Sequence, residues 1–180
     1  MFIRRRIFQV MAALIVLLGF AFGQAGSASA ADTTKWLAIQ PAHSGHNLDV
    51  QGGSTADGAP IIQWYRGYTS AGAFVANQRW KFAAVPNTYD TYYITSELSG
   101  KVLTVQRYTA GAPVVQLTNV GSPGQQWHEE YVGAARKFRN VATGLYLDVS
   151  GASYAAGAPI IQWYRTDGLN QQFYLADLAT

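Results

Sequence analysis

The chain is apolar enough to bury a core, and its few charges are unevenly distributed along its 180 residues. Residues 1–30 hold three of the thirteen Lys and Arg residues and none of the ten Asp and Glu residues, so the remainder is balanced at ten of each. This balance argues against nucleic acid or an anionic membrane as a partner, because both attract a basic surface. Cysteine is absent, which excludes a disulfide scaffold and leaves the hydrophobic core to hold the fold together.

The N-terminal segment has the three parts of a secretory signal peptide. Three arginines, Arg4–Arg6, precede the apolar run Ile7–Phe22, and small residues ending in Ala28–Ala30 follow. A bilayer-spanning helix needs about 20 residues, so a membrane anchor is the weaker alternative, and Ala-Ser-Ala is typical of a cleavage site. We therefore predict cleavage near Ala30, secretion of residues 31–180, and no membrane attachment afterwards. Either the general or the twin-arginine export route fits this segment.

A nine-residue sequence occurs twice after this segment. Gly58–Arg66 and Gly157–Arg165 both read GAPIIQWYR, and Gly111–Gln116 (GAPVVQ) is a weaker copy between them. Each copy begins with a Gly-Ala-Pro turn and continues into β-branched residues, which is typical of a strand leaving a loop. The recurrence predicts three similar structural units.

Each unit contains the same four predicted strands in the same order. The units span about residues 36–85, 92–131 and 136–178. An alternating strand and a Ser-Gly or Thr-Gly turn lead to a short Leu-x-Val strand, the Gly-Ala-Pro strand is third, and a Gln-x-aromatic strand closes the unit. Helical periodicity is missing and Gly, Asn and Ser punctuate the chain, so we predict an all-β fold with pseudo-threefold symmetry.

These three units resemble the ricin-type β-trefoil lectins along the whole of residues 31–180. The resemblance rests on the Leu-x-Val motifs, the mid-unit glutamines and three closing motifs in register: Gln78-Arg79-Trp80, Gln125-Gln126-Trp127 and Gln171-Gln172-Phe173. It implies a β-trefoil of three four-strand pseudo-repeats. Members of this family bind sugars, often galactose or related residues, in a shallow pocket on each unit. The resemblance therefore implies a stand-alone carbohydrate-binding module, which we expect to be a monomer.

The family pattern assigns a sugar site to the first unit and another to the third. Each site has a carboxylate, a supporting glutamine, an aromatic plate and two amides. In the first unit these are Asp49, Gln63, Tyr65, Asn77 and Gln78. In the third unit they are Asp148, Gln162, Tyr164, Asn170 and Gln171. A carboxylate accepts hydrogen bonds from sugar hydroxyls, amides donate and accept, and an aromatic ring packs against the apolar face of a sugar.

Alternation along Ile61–Tyr65 predicts which aromatic residue reaches the first site. Successive side chains of a strand point to opposite faces. We expect Ile62 and Trp64 to face the core, so that Gln63 and Tyr65 face the sugar. Four further aromatic residues are expected in the core: Trp80, Trp127, Trp163 and Phe173.

The second unit departs from the site pattern. Thr104 stands where the carboxylate should be, Thr118 where the plate should be, and Gly124 where the Asn should be. We predict that this unit is scaffold only. The joint loss favours a binding role for Asp49 and Asp148 over a role as turn residues, whereas the closing glutamines could serve only to satisfy backbone groups.

The segment Gly67–Ala76 is a second departure, because the first unit has six more residues here than the other two. It either forms a wall that extends the first site or is a surface loop. Inhibitory β-trefoils present a long exposed loop, so this segment also supports a rival function. In that alternative the chain is a protein-interaction module, such as a protease inhibitor or a structural protein of the cell envelope.

Motifs for catalysis and for metal binding are missing from the sequence. His43, His46 and His128 have no metal-binding spacing with acidic residues, and the adjacent Glu129 and Glu130 point to opposite faces of a predicted strand. The chain has no cysteine nucleophile, no G-x-S-x-G motif and no phosphate-binding loop. We predict that the protein is not an enzyme and uses no cofactor and no metal ion.

Overall fold

The structure, a computed structural model, describes residues 31–178, so the predicted signal peptide lies outside the described residues. This part of the chain forms twelve β-strands: β1 (Leu37–Pro41), β2 (Asn47–Val50), β3 (Ile61–Trp64), β4 (Trp80–Ala84), β5 (Thr91–Ser96), β6 (Val102–Val105), β7 (Val114–Leu117), β8 (Trp127–Val132), β9 (Ala135–Asn140), β10 (Tyr146–Val149), β11 (Ile160–Trp163) and β12 (Phe173–Asp177). It also forms five single-turn 3₁₀ helices: Gln51–Gly53, Ala76–Gln78, Pro123–Gln125, Ser150–Ala152 and Leu169–Gln171. None of the helices between residues 31 and 178 has the length and apolar character needed to cross a membrane.

Six of the strands close a barrel. Antiparallel pairing runs from β1 to β4, β5, β8, β9 and β12 and returns to β1. The other six strands form three hairpins, which are β2–β3, β6–β7 and β10–β11. Each unit therefore gives its outer two strands to the barrel and its middle two to a hairpin. This arrangement is a β-trefoil, and it confirms the predicted all-β fold with three four-strand pseudo-repeats.

The Gly-Ala-Pro segments join the three hairpins to one another. Each proline makes an isolated antiparallel bridge with a neighbouring hairpin: Pro60 with Val115, Pro113 with Ile161 and Pro159 with Ile62. The glycine of each segment donates a backbone hydrogen bond of 2.8–2.9 Å to the mid-unit glutamine of a neighbouring unit. The repeated sequence thus closes a ring around the pseudo-threefold axis, and it brings each unit into contact with the next.

The closing aromatic residues form part of the core, as predicted. Trp80, Trp127 and Phe173 are fully buried. The two indoles donate hydrogen bonds of 3.0 Å from Nε1 to the carbonyl oxygens of Leu48 and Leu103. A buried N–H needs such a partner, so the Leu-x-Val strand both covers the indole and satisfies it. The core cluster also includes, among others, Ile39, Phe82, Ile94, Phe138, Leu147 and Ile160.

Candidate functional site

Trp64 and Trp163 are partly exposed, so the prediction that they face the core is wrong. Their exposed fractions are 44% and 41%. The predicted alternation itself holds, because Ile62 and Trp64 share one face of β3 and line the same cavity. The assignment of faces was inverted because the polar residue between them, Gln63, points inward. A neighbouring unit covers Gln63 and supplies its hydrogen-bond partners, which local sequence does not reveal.

A shallow cavity of about 480 Å³ lies in the first unit beside Trp64. Asp49, Asn77 and Gln78 contribute its polar wall, so the structure brings these three predicted residues together with an aromatic ring. Gly157 of the third unit completes the lining. The cavity therefore combines a carboxylate, amide groups and an apolar ring face.

The carboxylate of Asp49 is held by two amide groups. Its Oδ2 accepts hydrogen bonds from Asn77 Nδ2 at 2.9 Å and from Gln78 Nε2 at 2.7 Å. Its Oδ1 accepts none from residues 31–178, although the side chain lines the cavity. Burial raises the pKa of Asp49, and the hydrogen bonds from Gln78 and Asn77 oppose this shift. One oxygen is thus oriented by the protein, and the other accepts no hydrogen bond from the described residues.

Gln78 positions this carboxylate from behind. Besides Asp49, its Nε2 donates to the carbonyl oxygen of Tyr65 at 2.8 Å. Its Oε1 accepts from Asn47 Nδ2 at 3.0 Å and from the backbone N–H of Gly67 at 2.9 Å. An amide side chain has two donor hydrogens and two acceptor lone pairs, so all four are used. Gln78 therefore fixes Asp49 and has no hydrogen-bonding capacity left for a ligand.

The third unit repeats this arrangement beside Trp163, in a cavity of about 570 Å³. Oδ2 of Asp148 accepts hydrogen bonds from Asn170 Nδ2 at 2.9 Å and from Gln171 Nε2 at 2.8 Å. Burial raises the pKa of Asp148, while its two amide partners, Gln171 and Asn170, lower it. The same groups have nearly the same distances, so the carboxylate is held in the same way in the two cavities.

Five of the predicted site residues are absent from the cavity linings: Gln63, Gln162, Gln171, Tyr65 and Tyr164. Gln63 is fully buried and donates from Nε2 to the carbonyl oxygens of Ser153 and Ala155, both at 2.8 Å. Gln162 makes the equivalent bonds to the second unit. These glutamines therefore connect neighbouring units. Tyr65 and Tyr164 follow the last residues of β3 and β11 and are 61% and 64% exposed. Each ring contacts the neighbouring indole edge-on, with centroids 5.9 and 5.8 Å apart.

A glycine of a neighbouring unit supports each exposed indole. A Cβ built on Gly157 would lie 3.4 Å from the Trp64 ring, and one built on Gly111 would lie 3.3 Å from the Trp163 ring. Both glycines have positive φ, 88° and 84°, which disfavours other residues in any case. The two sites are therefore built at boundaries between units. The sequence contained a signal that these tryptophans belong to the sites. The second unit, which lacks the site pattern, has Leu117 in the position of the tryptophan.

The second unit has a surface cavity without the same chemistry. Thr104 replaces the carboxylate, and it accepts a hydrogen bond of 3.4 Å from Gln125 Nε2. Leu117 replaces the indole. The carboxylate in this lining is Asp57 of the first unit, which Lys101 contacts at 2.7 Å. That contact and the hydrogen bonds from Thr118 lower the pKa of Asp57. The second unit therefore lacks the carboxylate and the indole that line the other two cavities.

The additional segment of the first unit is a small hairpin beside the first cavity. Tyr68 and Phe74 form an isolated antiparallel bridge, and Thr69 N donates to Ala73 O at 2.7 Å. At the base of this hairpin, Gly67 and Val75 line the cavity. Tyr68 and Phe74 line a separate pocket, and Tyr68 to Ala73 are exposed, so most of the segment is a surface loop with a partly buried Phe and only its base adjoins the first cavity. Between residues 31 and 178, no group of three or more His, Cys, Asp or Glu side chains could hold a metal ion.

Comparison with known proteins places these features in a family. The model of the ricin-type beta-trefoil lectin domain-like family matches residues 27–64, 76–163 and 130–179. A designed 3-fold symmetric protein, ThreeFoil, is 34% identical with a TM-score of 0.72, and the match covers 79% of this chain and 98% of that one. An exo-beta-1,3-galactanase from Clostridium thermocellum is 27% identical with a TM-score of 0.72, over 80% of this chain and 30% of that one. The Macrolepiota procera ricin B-like lectin in complex with lactose is 21% identical with a TM-score of 0.67, over 83% and 99%. A search of curated protein sequences found no significant match.

Proposed function

The chain belongs to the ricin-type β-trefoil lectin family, and from this premise we propose that it binds carbohydrate at the Asp49 and Asp148 cavities. The proposal includes secretion, action as a monomer, and the absence of enzyme activity. It rests on one observation above all. In both cavities a carboxylate with one unused oxygen lines the same wall as a partly exposed indole.

This combination suits a sugar better than other small ligands. A sugar ring presents hydroxyl groups along its edge and C–H groups on one face. The unused Oδ1 of Asp49 can accept from a hydroxyl, as a charged acceptor that makes a stronger bond than a neutral one. Asn77 Nδ2 already donates to Asp49, and its carbonyl oxygen can accept a second hydroxyl. The Trp64 ring provides the apolar surface for the C–H face.

Two equivalent sites on one rigid body favour a repetitive ligand. A shallow cavity holds a single sugar weakly, because only one face of the ring is covered. When two sites bind the same polymer or surface, the second binding event becomes intramolecular and the overall affinity increases. We therefore propose a polysaccharide or a glycan-covered surface as the physiological ligand.

A galactose-type sugar is the first candidate. Two considerations support it: the family resemblance of the site residues, and the 27% identity to a protein named as an exo-beta-1,3-galactanase. The chain spans 30% of that enzyme, so the enzyme's activity is not transferred to it. What is proposed is binding of such a sugar without cleavage.

A glycan array probed with the exported protein tests this proposal. Galactose-terminated or galactan probes should retain the protein, and free galactose should compete. Titration calorimetry with the best monovalent sugar should then give two sites per chain. Retention by no glycan, together with binding to a protein target, would instead support the protein-interaction alternative. Binding only to glycans without galactose would support the proposed lectin function but contradict the proposed galactose specificity.

A further inference from the structure

The first described residue, Ala31, is buried rather than exposed. Its exposed fraction is 6%, and it belongs to the hydrophobic core cluster. Its backbone nitrogen lies 3.3 Å from Oε2 of Glu129 on β8. A residue that follows a predicted cleavage motif would ordinarily be expected on the surface, because chain ends are poorly ordered unless they are tied down. Ala31 is instead held in the core.

Glu129 is a carboxylate in the interior of the protein. Its side chain is fully buried, and its Oε1 forms an ion pair with Nε of Arg136 on β9. Its Oε2 accepts from the hydroxyl group of Tyr131 at 3.2 Å as well as from Ala31. Burial raises the pKa of Glu129, and the charge of Arg136 opposes the shift. A second positive charge at Oε2 would further stabilise the ionised form.

We infer that Ala31 is the first residue of the processed protein and that its α-ammonium group forms a buried ion pair with Glu129. Two independent observations concern the same peptide bond, between Ala30 and Ala31. The Ala28–Ala30 motif predicts cleavage there, and the nitrogen on its C-terminal side is the atom that faces Glu129. This inference does not depend on sugar binding.

Cleavage changes the chemistry of this nitrogen. A signal-peptide protease adds water across the Ala30–Ala31 bond, which leaves a carboxylate on Ala30 and an amine on Ala31. The amine takes up a proton at neutral pH and becomes an ammonium group. Before cleavage the nitrogen is an amide with one hydrogen and no charge. Afterwards it carries three donor hydrogens and a positive charge, so a neutral contact to Glu129 becomes a charge-assisted one. Removal of the leader would therefore complete the fold.

The first test needs no substitution. The exported protein is analysed by intact mass and N-terminal sequencing, and we expect it to begin at Ala31. Its α-amine is then reacted with an acylating reagent near neutral pH, where Lys side chains are mostly protonated. The matched control has Gly-Ser inserted between Ala30 and Ala31, so that cleavage leaves the amine two residues away. We expect acylation of the native amine to be at least tenfold slower than that of the control. A start at another residue, or equal rates, would overturn the inference.

The second test separates the charge from the amide hydrogen bond. In the Gly-Ser insertion Ala31 keeps its backbone N–H but has no charge. We expect the insertion to lower the melting temperature by at least about 4 °C in the wild-type protein. In a protein that already carries Glu129→Gln, the same insertion should change the melting temperature little. Equal effects in both backgrounds would show that the ion pair is absent. If Glu129→Gln prevents folding, the acylation rates decide the question, because they use the wild-type side chains.

Discussion

Replacement of Trp64 by alanine should remove most of the affinity of the first site. The indole is 44% exposed, which for an aromatic side chain of about 250 Å² leaves about 110 Å² available to a ligand. If a sugar covers about half of this and loses an equal area of its own, about 100 Å² of apolar surface is buried. At about 25 cal/mol per Å² this contributes about 2.5 kcal/mol, or about 60-fold in the dissociation constant.

The matched control is Tyr65→Ala, which removes the neighbouring exposed ring that does not line the cavity. Titration calorimetry with a monovalent sugar should show two sites for the wild type and for Tyr65→Ala, with affinities within about threefold of each other. Trp64→Ala should retain only the third-unit site at the same sugar concentrations. Its melting temperature should change modestly, since the ring is nearly half exposed. If Tyr65→Ala loses a site and Trp64→Ala does not, the aromatic ring assigned to the sugar is wrong.

Three further predictions test the carboxylates and the core. Asp49→Asn and Asp148→Asn keep an acceptor for the two amide donors but lose the charge. Each should therefore weaken its own site about tenfold without lowering the melting temperature. The control, Thr104→Ala, should change neither the sugar affinity nor the number of sites. Because burial raises the pKa of Asp49 and Asp148 above the ordinary 3.8, sugar affinity measured by calorimetry across pH should decrease as the pH falls through these raised values. The folded state binds these protons more tightly than the unfolded state does, so their contribution to stability should increase over the same interval, and a double Asn variant should lose both dependences. Trp80→Ala should cost about 3–5 kcal/mol of unfolding free energy, because Trp80 is fully buried; a normal melting curve would contradict its place in the core.

The fold was predictable because its determinants are local and repeated. Leu-x-Val, Gly-Ala-Pro and Gln-x-aromatic motifs recur in register, and each one specifies a short strand or a turn. The burial of Trp80 and Trp127 also followed from this register. The local sequence patterns did not reveal the contacts between the units. The bridges from Pro60, Pro113 and Pro159 to neighbouring hairpins are long-range contacts, and no single unit shows them.

The same limit explains the one inverted part of the site. The sequence placed Asp49, Asn77 and Gln78 correctly side by side, because they belong to one unit. It misplaced Trp64, since a polar residue such as Gln63 was expected to face outward. In the structure a neighbouring unit provides Gln63 with two carbonyl acceptors, which makes its burial favourable. A contact between units, rather than the polarity of the strand's own residues, therefore determines which side chains of β3 point inward.

Contacts between units also account for the Gly-Ala-Pro motif of the second unit, for which we predict no sugar site. Gly111 from this unit supports the Trp163 ring, just as Gly157 supports the Trp64 ring. The equivalent glycine, Gly58, has no side chain within 4 Å of where its Cβ would be, because the second unit has Leu117 instead of an indole. The second unit has neither the carboxylate, the ring nor the Asn of the other two, yet its Gly111 lies against the Trp163 ring of the third unit. A side chain at Gly111 would therefore impair binding at Asp148, although the two residues belong to different units.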